Sequence, residues 1–491
     1  MSVLAIDVGT TSVRVGVVRP DGTIAARRSE ALVLDRPSPG LAEFDADALR
    51  RTVVRLSVDC IDEAGRVDGV GIAVQRASVV VWDATTRLPL HAGISWQDLR
   101  TIGDCLTIAA THGIRLAANQ TATKAGWLLR HLSSSGRTTR SVRIGTLDTW
   151  LIDALTNGAA YVTEPSNAAV TGLVDPESIV QFAWSSMRCA ATGVPLDRLA
   201  PMHASPGPLG IATALPGAPP IVAALGDQQA SLIGQGALDS GVAKLTLGTS
   251  AIADAYIGTD TPTLLDRAAH GSYPVVAHSV GGVLHWAREA VILTAGTCID
   301  WLVDDLALLD SPAASADVAA SVPDTDGAWF VPAMLGLGTP HWDYGARGTL
   351  LGLTRGTSRA HVVRAVLRGI AHRSADLLAA MHADGAPAAQ RLRVDGAMSR
   401  NGVLVAELAD ATGCTIDVCD DREATLRGAG FAAGIEVGSW ATFAATARLA
   451  SVRESRTPSS SPDERATRRA QWHEAVARAR GWIPELSALD F

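Results

Sequence analysis

The chain opens on an apolar run, Leu4 to Val8, that carries one charged residue, Asp7, into a Gly9-Thr10-Thr11-Ser12 bend. From Ser12 to Val18 apolar and polar positions then alternate with the two-residue period of a strand. Pro20-Asp21-Gly22 reads as a hairpin turn into a third strand around Ile24 to Arg28. Three meandering strands exclude a dinucleotide-binding unit, whose second element would be a helix. Between Asp45 and Ala64, Leu49, Val53, Leu56 and Ile61 approximate one helical face. Val67 to Val74 follows as a buried strand. Strands and helices keep alternating across short Gly- and Pro-marked connections, which predicts an α/β protein.

The opening pattern recurs once. At Val242 to Ile252 an apolar strand again enters Gly248-Thr249-Ser250, and another apolar strand leaves toward Tyr256. This copy has no acidic residue before its glycine. Two related halves, with a carboxylate in only one, predict a cleft between two similar domains. The boundary falls near residues 238 to 242, after Gly234-Gln235-Gly236. The expected division is therefore 1–240, 241–455, and a C-terminal piece 456–491. Within that last part, Ser455 to Arg465 reads as an exposed loop and Arg468 to Trp482 as a final helix.

Composition narrows the class. A chain of 491 residues with 47% hydrophobic and 19% charged residues is globular and long enough for two or three domains. A formal charge of -8 argues against nucleic acid or an anionic membrane as the main partner. The longest stretch without a formal charge, Leu199 to Gly226, contains six prolines and cannot form a membrane helix. The N-terminus carries no export-signal pattern. Six scattered cysteines show no metal spacing and read as buried thiols of a cytoplasmic protein. Only two lysines occur, Lys124 and Lys244, read here as compositional bias without function.

Two carboxylates stand out as chemistry. Asp7 meets a turn whose glycine admits a close ligand and whose hydroxyls and amides can cradle phosphate oxygens. At a strand end it suits a divalent cation held directly or through water; the bland reading is a tight hairpin. The Walker loop is absent, because neither lysine follows a glycine, and His372-Arg373 is followed by Ser374 where a protein-kinase signature needs aspartate. The second carboxylate, Asp227, ends the uncharged stretch and is followed by Gln228-Gln229 and a helix. Partial burial would suit it as a general base for a hydroxyl. A helix N-cap is the equally weighted alternative.

Taken together, Asp7 to Ser12, Gly226 to Gln229, Leu247-Gly248-Thr249, Gly348 to Leu353 and Val394 to Ala397 with Asn401 resemble the motifs of FGGY carbohydrate kinases. Val74-Gln75-Arg76, Trp96-Gln97, Leu147 to Ile152 and Gly336 to Asp343 are similar to its glycerol kinase branch. The resemblance runs in order from about residue 3 to 450. It implies an actin-like ATPase (ribonuclease H-like) fold, two related α/β domains closing on ATP and Mg²⁺ and a small polyol or sugar. Position by position it makes Asp7 the magnesium-associated carboxylate, with Thr10, Thr11, Ser12 and Arg14 as the first phosphate loop. Gly248 and Thr249 fall in the second phosphate loop. Gly296, Asp300, Gly396, Ala397 and Asn401 fall at nucleotide positions. Asp227 becomes the general base, and Arg76, Ala77, Trp96, Asn119, Gln228 and Ile252 line the acceptor pocket.

Departures from the resemblance bear on the acceptor. Ala77 stands where the branch has a hydroxyl-binding glutamate, Asn119 where it has tyrosine, and Ile252 where it has phenylalanine. Asp300 replaces a glutamine, and Arg368 stands where an acidic or amide residue is usual. The resemblance implies transfer of the ATP γ-phosphate to a hydroxyl through an altered pocket. True glycerol kinase, a pentulose or tetritol kinase, and a non-metabolic actin-like ATPase stay open beside it. A homodimer is the assembly expected if the chain associates.

Overall fold

The computed structural model describes residues 1–136, 141–177, 182–419 and 423–489. The first of its two large sheets contains β1 (Val3–Val8), β2 (Ser12–Val18), β3 (Ile24–Ala31), β4 (Val70–Val74), β5 (Gly210–Ile211) and β6 (Pro220–Gly226), in the order β3-β2-β1-β4-β6-β5. Strands β1 to β3 form an antiparallel meander, and β4 and β6 run parallel to β1. The second sheet holds β7 (Val242–Leu247), β8 (Ala251–Gly258), β9 (Tyr273–Val280), β10 (Val283–Ile292), β11 (Arg391–Asp395), β12 (Thr415–Cys419) and β13 (Val452–Arg456). Its order is β9-β10-β8-β7-β11-β12-β13.

The repeat seen in the turns extends to topology. In the second sheet β7, β8 and β10 form the equivalent antiparallel set, with β9 inserted before β10 and paired outside it, and β11 and β12 are parallel to β7. Parallel strands need long crossovers, and helices supply them. Their carboxyl ends then share one edge, where ligands of open α/β sheets bind.

Helix α1 (Ala46–Ala64) begins where Asp45 accepts hydrogen bonds from the Asp47 and Ala48 amides and ends at Gly65. Leu49, Val53, Leu56 and Ile61 are buried, as their spacing predicts. They pack with Leu4, Ile6 and Val8 of β1. The opposite face of β1, Val3 and Ala5, packs against residues of α2 (Asp227–Gly234) and of a helix from the distant end of the chain. Further along come α3 (Gly296–Asp304), α4 (Arg359–Ala383), α5 (Gly402–Thr412), α6 (Ala424–Glu436) and α7 (Pro462–Ala479).

That distant helix is α6. Although it lies in sequence between β12 and β13 of the second sheet, its Leu426, Ala429, Phe431, Ala432 and Ala433 lie on the first sheet. It crosses α2 with backbones nearly touching: a Cβ at Gly428 would lie 1.7 Å from the Ala230 carbonyl oxygen, and one at Gly234 would lie 1.9 Å from that of Ala424. Only glycine fits at either place. Spatially, residues 424–436 thus accompany the first sheet rather than the rest of 241–455.

The tail also differs from the sequence reading. Val452–Arg456 pairs with β12 as an edge strand, and α7 begins at Pro462, inside the stretch read as a loop. Ser461 and Glu464 form a reciprocal capping box there. Trp472 is buried against Trp329 and Val331, and its indole N–H donates to Asp376 at 3.0 Å. Arg368 is explained structurally, since it donates to Glu407 at 3.0 and 3.2 Å and to Thr325 at 2.8 Å. All six cysteines are free and buried. Among the described residues, no helix is long and apolar enough to cross a membrane.

Candidate active site

The parallel order β1-β4-β6 brings three chain segments to one edge: the Asp7 turn, Arg76 just beyond β4, and Asp227 at the first position of α2. Asp7 is 1% exposed. It lies directly across the hairpin from Arg14, whose Nε stands 3.4 Å from its carboxylate. Neither Asp7 oxygen has a hydrogen-bond partner among the described residues. Burial pushes its carboxyl up to about 7 against the pull of Arg14, and the charges of Asp227 and Glu423 add to the rise. A buried carboxylate with both oxygens unsatisfied calls for a cation or protons. Glu423 sits at the entry to α6 and reaches Arg14 at 3.7 Å and Arg27 at 2.9 Å, so the arginine of the first turn is held from both sides.

Asp227 neither caps α2 nor points away. Its Oδ1 accepts the Gln228 amide at 2.8 Å and stands 3.8 Å from Arg76 Nε. Burial raises its pKa, chiefly opposed by Arg76, then by the Gln228 amide and Lys244, while Asp254 adds to the rise. Arg76 extends from there to Glu289 of β10, with Nη2 donating at 2.7 Å. Its Nη1 is buried and has no hydrogen-bond partner among the described residues.

The residues expected to line the acceptor pocket are joined by small links. The Trp96 indole N–H donates to Thr10 Oγ1 at 3.1 Å, tying Trp96 to the Gly-Thr-Thr-Ser turn. Lys124, fully buried, donates to the carbonyls of Ser95 at 3.1 Å and Asn119 at 2.9 Å, which fastens the exposed Asn119 loop beside Trp96. Burial lowers its pKa to about 7. Ala77 is buried with φ +61°, a left-handed conformation that costs an ordinary residue about 1–2 kcal/mol. Its carbonyl accepts from Thr121 at 3.2 Å.

The second sheet faces this group with a charged row. Lys244, Asp254 and Glu289 are successive cross-strand partners on β7, β8 and β10. Lys244 Nζ donates to Asp254 at 2.8 Å and to Gln228 Oε1 at 2.7 Å. Ile252, two residues before Asp254, shares its face of the sheet. Both lysines are therefore buried and hydrogen-bonded beside these residues.

The positions expected to meet the nucleotide lie toward the other parallel edge. The Gly296 amide donates to the Gly248 carbonyl at 2.9 Å, and the Ala295 amide to that of Thr249 at 2.9 Å. Gly396, at φ +91°, leaves no space for a Cβ, which would lie 2.2 Å from the Leu247 carbonyl oxygen. Ala397 follows in an exposed turn, and Asp300 is exposed on α3. Asn401 is spent locally, since Oδ1 caps α5 through the Val403 and Leu404 amides and Nδ2 donates to Ser315 at 3.0 Å. Sequence reasoning missed Lys244, Asp254, Glu289 and Glu423. The only signal for the first three was an unexplained charge within a strand, for Lys244 and Asp254 a single one in a largely apolar strand.

Two α/β repeats, each presenting a hydroxyl- and glycine-rich turn to a common cleft with a buried carboxylate beside it, define a phosphotransferase that acts on an alcohol. The chain belongs to the FGGY family of carbohydrate kinases, matching the family's N-terminal domain over residues 2–234 and its C-terminal domain over 243–437. It is 34% identical to a glycerol kinase of Petrotoga mobilis, covering 98% of this chain and 99% of the relative. A glycerol kinase of Symbiobacterium thermophilum is 36% identical over 98% and 99% of the two chains. Among solved structures, Plasmodium falciparum glycerol kinase with ADP superposes with a TM-score of 0.89 at 26% identity, covering 97% of this chain and 98% of that one. A xylulose kinase from Rhodospirillum rubrum shares the fold, with a TM-score of 0.84 at 23% identity and coverage of 97% and 98%.

Proposed function

We propose that this kinase transfers the γ-phosphate of ATP to a hydroxyl of a small polyol or sugar in the cytoplasm, and that its preferred acceptor is larger than glycerol. The observation that carries the reading is Asp227, a half-buried carboxylate with a raised pKa, 3.8 Å from Arg76 at the edge where Asp7 also lies near the end of its strand. Asp227 accepts the hydroxyl proton as the oxygen attacks the γ-phosphorus. Arg76 and Gln228 hold the acceptor's other oxygens, and Trp96 flanks it. The backbone amides and hydroxyls of Thr10, Thr11 and Ser12, with Arg14, orient the phosphates from one domain, and Gly248 and Thr249 do so from the other. Such transfer is governed by positioning and charge.

The unsatisfied Asp7 carboxylate fits a Mg²⁺ ion, which is usually bound through one or two carboxylates, water and substrate phosphate. When bound, the ion would neutralise phosphoryl charge. Gly296 and Gly396 would bring the nucleotide surface close to the second turn, since a Cβ at either would collide with the Gly248 or Leu247 carbonyl oxygen, at 2.6 and 2.2 Å.

The acceptor reading rests on three positions. Ala77 offers no hydroxyl-binding group, and a hydrogen bond to a charged group is worth about 1.5–3 kcal/mol. Ile252 and Asn119 remove aromatic bulk, and the Asn119 amide can both donate and accept. These features favour a four- or five-carbon polyol or ketose. Glycerol itself is the second reading, favoured by the retention of Arg76, Trp96, Asp227 and Gln228 and by relatives named glycerol kinase. A coupled ADP-release assay over triols, tetritols, pentitols and ketoses decides between them. A four- or five-carbon acceptor should give the highest kcat/KM; glycerol at the head of the list would refute the larger-acceptor reading.

A further inference from the structure

The Arg76 guanidinium is shared between the two domains. One end approaches Asp227 of the first, with Nε at 3.8 Å, and the other donates from Nη2 to Glu289 of the second at 2.7 Å. The two partners of that second bond lie 213 residues apart. Glu289 has a fixed place: it sits within β10, paired with Asp254 on one side and Tyr273 on the other. Asp254 in turn accepts from Lys244 at 2.8 Å and acts on Arg76 through its charge alone, with no hydrogen bond between them. The remaining guanidinium nitrogen, Nη1, is buried and lacks a hydrogen-bond partner among the described residues.

A long arginine side chain loses substantial rotamer entropy when it is held in one geometry. Asp227 alone, at 3.8 Å, makes no hydrogen bond to it. The short contact to Glu289 is what sets the plane of the guanidinium, and hence where Nη1 points. The residue after Arg76 cannot help, because Ala77 has no polar side chain.

We propose that Glu289 is a positioning residue of the acceptor site: from the second domain it fixes the Arg76 guanidinium beside Asp227, so that Nη1 is presented to an acceptor oxygen only when both domains contribute. This rests on the kinase reading above. Acceptor capture is thereby tied to the closed arrangement of the two sheets, whereas the nucleotide turns do not depend on Glu289.

The test compares Glu289→Ala and Glu289→Gln with the wild-type enzyme, using the best acceptor from the screen and varying it and ATP separately. The alanine variant should raise the acceptor KM by at least about 30-fold, the lower end expected for losing one partner of a largely buried charged pair. The ATP KM should stay unchanged. The glutamine variant keeps an oxygen for Nη2 and should recover most of the loss. Crystal structures of both variants supply a readout independent of turnover, with Arg76 displaced from Asp227 in the alanine variant and retained in the glutamine variant. An unchanged acceptor KM, acceptor and ATP constants rising together, or Arg76 in place without Glu289 would each overturn the proposal. Should the alanine variant fail to fold, Glu289→Met, similar in length but without a carboxylate oxygen, takes its place: Arg76 displaced with a raised acceptor KM supports the proposal, and Arg76 in place with an unchanged acceptor KM overturns it. Failure of every acceptor to stimulate ADP release would refute the kinase reading instead, and the crystallographic comparison would still judge Glu289.

Discussion

Replacing Asp227 with asparagine separates its chemistry from its packing. The amide is nearly isosteric, and its oxygen can still accept the Gln228 backbone N–H that Asp227 accepts at 2.8 Å. Asparagine cannot take a proton. Burial raises the carboxyl of Asp227 above its ordinary 3.8, so in its charged form it is a stronger base than an exposed aspartate. General-base help is worth about 10²–10⁴-fold, equivalent to about 3–5 kcal/mol of barrier. Asp227→Asn should therefore lose that factor in kcat while binding ATP normally, measured by coupled ADP release and nucleotide titration. The pH profile supplies a second check. The base is lost as pH falls through the raised pKa, so wild-type kcat/KM should have an acid limb, and the variant should lack it. Near-normal turnover with the acid limb intact would refute Asp227 as the base.

Asp7→Asn should abolish phosphotransfer yet stabilise the ligand-free protein above neutral pH. With its carboxyl pushed from 3.8 to about 7, the folded state keeps a proton that the unfolded chain has lost. The group's contribution to stability therefore falls between those values, by several kcal/mol at about 1.4 kcal/mol per pH unit. The Tm of the variant should exceed wild type at pH 8 and converge with it toward pH 4; a lower Tm at pH 8 would contradict this. Gly428→Ala drives a Cβ to 1.7 Å from the Ala230 carbonyl oxygen and should cost about 1–3 kcal/mol, read as a lower denaturation midpoint. Gly103→Ala, where no atom lies within 4 Å, should cost nothing and serves as the control.

Much of the site was local, and local features are legible in a sequence. A strand that ends in Asp7 before Gly-Thr-Thr-Ser, a hairpin turn at Pro20-Asp21-Gly22, and Asp45 ahead of a helical face depend on neighbours a few residues away. The same holds for Asp227 at the end of an uncharged stretch. Two local signals were overlooked: the Ser461-Glu464 capping box that starts α7 within the supposed loop, and the charges placed inside β7, β8 and β10.

What only the tertiary structure decided is which faces meet. Alternation puts Lys244, Asp254 and Glu289 on one side of their strands, but strand order is needed to line them up, and closure of the cleft to set them against Gln228 and Arg76. The same holds for α6, whose small residues mark a tight crossing without naming the helix crossed. Periodicity specifies a buried face through hydrophobic free energy, which has no direction. The partner of a buried charge is chosen by distance across the fold, and residues 213 positions apart acquire that distance only when both domains are in place.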